Sequence, residues 1–95
     1  MIDLNQLKEE CFKSAFRRFP NSSSNDVIQK IFEEAQELED ASLNNFWKSC
    51  HCSELMAVEE ELADVILDCL TFAKCENIDI ERALIIKNEF NKTRK

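Results

Sequence analysis

A chain with no glycine and a single proline, Pro20, has few ways to reverse direction sharply. Tight β-hairpins need residues that accept positive φ, and phosphate-cradling loops need backbone without a Cβ. Neither is within reach here. The composition therefore predicts an all-α protein, a four-helix arrangement whose helices are joined by short polar connectors. Its 95 residues make one domain over positions 1–95, close to the lower size at which a single core is comfortable.

Charge narrows the partners. The formal net charge is −7 and the pI about 4.7, which argues against nucleic acid, since such binding depends on cations set against phosphates. The opening stretch MIDLNQLKEE carries no signal-peptide pattern, and no apolar run approaches a membrane span. A cytoplasmic protein is expected. The five cysteines fit that setting as reduced thiols. Cys50-His51-Cys52 invites a zinc reading, but it holds the only histidine and lacks a second CxxC or HxxxH pair. A connector with incidental thiols is the simpler account.

Apolar periodicity places the helices. The first runs from Ile2 to Arg18 and stops before Phe19-Pro20, because the residue preceding proline avoids the α region. After a serine-rich linker, Ser23 and Asp26 form a capping-box pair for a second helix over Asp26–Ala41, with Val27, Ile28, Ile31, Ala35 and Leu38 as its apolar stripe. Leu43–Cys52 breaks the period and reads as a connector containing Phe46 and Trp47. Ser53 is the expected N-cap of a third helix, Glu54–Glu76, striped by Leu55, Val58, Leu62, Val65, Ile66, Cys69, Phe72 and Ala73. Asn77-Ile78-Asp79 connects to a fourth, Ile80–Thr93, whose inward face starts with Ile80, Ala83 and Leu84 and turns cationic at Lys87, Asn91 and Arg94.

Four acids give these helices a chemical theme. Glu34 and Glu37 are spaced i, i+3 on the second helix, and Glu61 and Asp64 repeat that spacing on the third. Each pair shares one helix face, and both are expected along the edge of an apolar stripe, with Asp68 continuing the line. Acids facing each other across a helix pair repel and call for a cation. Oxygen-only ligands favour Mg²⁺, or Mn²⁺ in its place, over zinc. The Lys87, Asn91 and Arg94 face admits two readings: a site for something negative, or the basic last turn that helices favour anyway.

The pattern Glu34-Ala35-Gln36-Glu37, a spacer of 23 residues, then Glu61-Leu62-Ala63-Asp64 resembles the ExxE…ExxD signature of the MazG-type all-α nucleoside triphosphate pyrophosphohydrolases. That superfamily includes the all-α dUTP and dCTP pyrophosphatases. The resemblance covers roughly Val27 to Arg94 and extends to Lys87, Asn91 and Arg94 in KNEFNKTR. It implies that Glu34, Glu37, Glu61 and Asp64 are catalytic residues holding Mg²⁺, and that Lys87, Asn91 and Arg94 contact phosphate oxygens. It also implies hydrolysis between the α- and β-phosphates, in the house-cleaning of nucleotide pools, by a homodimer or homotetramer. The proton acceptor is left open among the metal-site carboxylates, Glu33 and Glu60. Phe16, Phe19 and Trp47 are candidates for contacting the base. The alternative is a non-catalytic nucleotide-binding or protein-interaction module on the same fold. A di-iron bundle is ruled against by the lack of a Glu-x-x-His pair.

Overall fold

The computed structural model describes residues 1–44 and 46–94. Position 45, within the connector expected over Leu43–Cys52, lies outside the described residues, as does position 95. The described chain is all-helical: α1 (Leu4–Arg18), α2 (Ser24–Leu43), α3 (Ala57–Cys75) and α4 (Ile80–Thr93). Among the described residues the only β-type pairing is an isolated bridge between Lys48 and Met56.

Side-chain caps supply the stops and starts that glycine does not. The Asp3 carboxylate accepts from the Asn5 and Gln6 backbone N–H groups at 3.0 and 3.1 Å and opens α1. The capping box at α2 is complete: Ser23 Oγ accepts from Asp26 N at 3.2 Å, and Asp26 Oδ2 accepts from Ser23 N at 2.9 Å. Asp79 caps α4 through Arg82 N at 3.1 Å. Between α3 and α4, Asn77 takes φ +55°, a left-handed turn that asparagine accepts more readily than other non-glycine residues.

The expected start of α3 is corrected. Ser53 is not its N-cap, and the helix begins three residues later than Glu54, at Ala57. The backbone between is committed elsewhere: Ser49 N donates to Leu55 O at 3.0 Å and Ala57 N to Trp47 O at 2.8 Å, closing the connector into a compact loop. Glu59 then accepts from Met56 N at 2.9 Å at the real helix start.

α3 is the centre of the fold, with α2 and α1 packed against it. Both run opposite to it. Ser24 Oγ at the start of α2 donates to Glu76 at the end of α3 at 2.6 Å, and Lys74 late in α3 pairs with Glu9 early in α1 at 3.0 Å. Among the described residues α4 packs on α1, and near its beginning Glu81 accepts from Asn5 at 2.6 Å.

Burial departs from the expected stripes. On α2 the buried residues are Val27, Glu34 and Ala41, spaced by seven, so Glu34 stands at the centre of the buried face and not at its edge. Ala35 is exposed. On α3 the apolar line Leu62, Ile66, Cys69 faces outward, with Leu62 and Ile66 each 49% exposed, while Glu61, Asp64 and Asp68 lie on the sheltered side. The expected inward face of α4 is also uncovered: Ala83 is exposed and Leu84 is 49% exposed. The inner helix faces thus mix apolar residues (Val27, Ala41, Leu70, Ala73) with sheltered acids, and part of the apolar surface is outside.

Candidate metal centre

The antiparallel pairing of α2 and α3 decides which acids meet. Glu34, Glu61 and Asp64 each present a carboxylate oxygen, and these atoms all lie within 4.8 Å of one another. Glu34 is 8% exposed. Its Oε1 receives Lys30 Nζ at 3.2 Å, whereas its Oε2 is buried without a hydrogen-bond partner, as is Glu61 Oε2. Buried carboxylate oxygens left unpaired are costly. Orphaned oxygens converging from two helices are what a hard divalent cation needs, so the residues fit such an ion.

Glu37, one turn beyond Glu34, is exposed but within hydrogen-bonding reach of Glu34 and Glu61. Crowding shows in the proton affinities. Burial, followed by the neighbouring Glu37, pushes Glu61 up to about 7. Burial and the Glu34 charge raise Asp64, and burial with Glu34 raises Glu37. Each acid holds its proton more tightly because ionising it adds charge to a poorly solvated group.

The neighbouring Glu60 is already engaged. Ser49 Oγ donates to its Oε1 at 2.5 Å, and His51 Nδ1 lies 2.9 Å from its Oε2. These bonds lower its proton affinity and direct it to the connector. Ser49, itself buried, also accepts from the backbone N–H groups of His51 and Cys52 at 3.1 and 2.8 Å. Sequence reasoning treated this stretch as incidental, and no periodic signal marks a serine that finds an acid eleven positions away. Cys50 and Cys52 are exposed free thiols.

The remaining expected residues fall into three places. Lys87, Asn91 and Arg94 gather around Phe90 on α4: the Lys87 ammonium is 4.6 Å from the ring centroid, the Arg94 guanidinium 5.9 Å, and Arg94 donates to Asn91 Oδ1 at 3.5 Å. No hydrogen bond or ion pair joins these three to the acids among the described residues. Phe16 and Phe19 line a cleft shared by α1, α2 and α3. Trp47 instead lines a separate hollow with Glu37, Glu60 and Glu61.

Glu34, Glu61 and Asp64 thus form an acidic triad that bridges two antiparallel helices and could hold a metal ion. The comparisons name the class. Residues 22–94 match the MazG nucleotide pyrophosphohydrolase domain, and the chain belongs to that family. The match spans α2, α3 and α4; α1 lies outside it. No curated protein and no solved structure matches the chain.

Proposed function

We propose that the protein is a Mg²⁺-dependent enzyme that hydrolyses nucleoside triphosphates, deoxynucleotides foremost, to the monophosphate and pyrophosphate. The observation that carries this reading is the convergence of Glu34, Glu61 and Asp64 within 4.8 Å with two orphaned buried oxygens among them, in a chain of this family. Glu34, Glu61 and Asp64 would hold the ion, with Glu37 completing the group. When bound, such an ion offsets phosphate charge and lowers the pKa of its water. Glu60, occupied by Ser49 and His51, leaves proton acceptance to the quartet or to exposed Glu33. Lys87, Asn91 and Arg94 would contact phosphate oxygens, which carry growing charge as pyrophosphate leaves.

The working form is a homodimer or a tetramer, built from single-domain chains in a cytoplasmic setting. The single chain exposes 7306 Å², whereas a compact monomer of its mass exposes about 5,700 Å². That excess is about twice what one partner contributes to a standard protein interface. It is supplied in part by Leu62 and Ile66 on α3 and by Leu84, Ile85, Ile86 and Phe90 on α4, all exposed. Association is also the route by which α4, anchored on α1, can reach a triphosphate.

Pyrophosphate release from a panel of dNTPs tests the proposal. Turnover with Mg²⁺, abolished by chelator and by Glu61→Ala or Asp64→Ala, is expected. No turnover of any triphosphate at micromolar enzyme would sink it. Nucleotide binding that survives neutralisation of the acids would favour the non-catalytic module.

A further inference from the structure

The cleft beside the acids holds groups that metal and phosphate binding do not use. It has two adjoining sections with lining residues in common. One, of about 320 Å³, lies between α1 and α3 and is lined by Ser14, Arg18, Asp64 and Asp68 among others. The second, of about 60 Å³, runs toward α2 past Phe16, Phe19 and Val27. Asp68, Arg18, Ala15 and Thr71 belong to both. Only the broader section has room for a nucleobase ring, and Asp64, Asp68 and Arg18 all line it. The phenylalanines form an apolar end wall.

Asp68 is the group without a task. Its Oδ2 is buried with no hydrogen-bond partner. The nearby cations do not consume it: Lys30 pairs with Glu34 at 3.2 Å, and Arg18 donates through Nε to Ser14 O at 3.3 Å. Arg18 is near enough to act on Asp68 through its charge, yet the two form no ion pair among the described residues. An acceptor and a donor therefore flank the same space with hydrogen-bonding capacity to spare. Asp64 and Asp68 are one helical turn apart, about 6 Å along the axis, a separation that a deoxyribose can bridge between a metal-held phosphate and a base.

From this juxtaposition we infer that Asp68 and Arg18 read the edge of the nucleobase and select guanine. Guanine presents N1–H and the N2 amino group side by side, two donors for one carboxylate, with O6 next to them for the guanidinium. Cytosine and adenine offer a carboxylate a single amino group, next to a ring nitrogen that is itself an acceptor. Uracil and thymine set their one N–H between two carbonyl oxygens, both of which repel Asp68. A buried group left unpaired by the wrong base makes the discrimination large. α1, which carries Arg18, lies outside the residues that match the family model.

The inference rests on the pyrophosphohydrolase reading but is tested separately from it. In the hydrolysis assay, kcat/KM for dGTP should exceed that for dUTP and dTTP by roughly tenfold or more. In Asp68→Asn, which keeps the side-chain shape, that ratio should collapse, chiefly through the KM for dGTP. Calorimetric binding of dGMP and dUMP to the same two proteins gives a readout that needs no turnover. A dGMP preference lost in Asp68→Asn supports base reading even if hydrolysis is absent, an outcome that would count against the enzyme alone. Equal binding of the two monophosphates by the wild type, or a preference unchanged in Asp68→Asn, overturns the inference. So does loss of Mn²⁺ binding in Asp68→Asn, which would make Asp68 a metal ligand.

Discussion

The α2–α3 seam and the outer face of α4 end in opposite situations. In the seam, charged groups are sheltered: Glu34 is 8% exposed and faces Glu61 and Asp64 across the helix pair. On α4, apolar groups are open, with Ile85 64% and Phe90 54% exposed. Burying acids raises their proton affinity and leaves oxygens unpaired, whereas exposing isoleucine and phenylalanine leaves apolar area in water. Both are unfavourable for an isolated chain. On the proposed reading each would be relieved from outside, by a cation in the seam and by a second surface on α4.

If the seam is a metal site, removing one of its acids should have the largest effect. Glu61→Ala or Asp64→Ala should lower kcat/KM by more than the roughly 100-fold ceiling typical of a metal's outer hydrogen-bond partners, with Mn²⁺ binding lost in calorimetry. A variant that still binds Mn²⁺ as tightly as the wild type would break the contrast at its first term. The second effect should be on assembly. Charging α4 through Ile85→Asp with Phe90→Asp should reduce the mass seen by light scattering to that of one chain while Mn²⁺ binding persists. A wild type that is monomeric at assay concentration would contradict the reading of α4.

The cationic end of α4 should matter less. Lys87→Ala or Arg94→Ala should raise KM roughly tenfold, the scale of one charged hydrogen bond, without changing Mn²⁺ affinity. A change in metal affinity would place these residues in the seam's chemistry after all.

The smallest expected effect is on stability. Glu61 is raised to about 7 and Asp68 to about 6, both chiefly by burial. The folded, metal-free protein therefore binds more protons than the unfolded chain between the ordinary carboxylate range and about 7. Stability should fall as pH rises through that window, by on the order of a few degrees in melting temperature. Mg²⁺ should flatten or reverse the slope, since it replaces the protons. A metal-free melting temperature that climbs from pH 5 to 7.5 would show that the acids are better solvated than their geometry indicates.

The helices, their order and two of their four N-caps were legible in the residues. Ser23 with Asp26 and Asp79 act locally, over three or four positions, and local rules suffice for them. The start of α3 was not legible, because Ser53 lost to a bridge and loop closure involving Lys48, Ser49, Leu55 and Met56. The facing of the helices was not legible either. Periodicity identifies which residues share a side, and hydrophobicity then assigns that side to the core. Here the assignment fails for Leu62 and Ile66 on α3 and for Leu84 on α4, each of which is half exposed.

The sequence by itself determined an all-α chain, the two acid pairs at i, i+3, and the family signature they compose, since each depends on composition or on spacing within a helix. Only the tertiary structure decided that Glu34 lies at the centre of its face and that Glu60 is tied to the connector. It likewise brought Asp68 and Arg18, fifty positions apart, to one cleft. Such placements depend on how antiparallel helices register against one another. That register is set by the packing of whole faces, which no single stretch of the chain encodes.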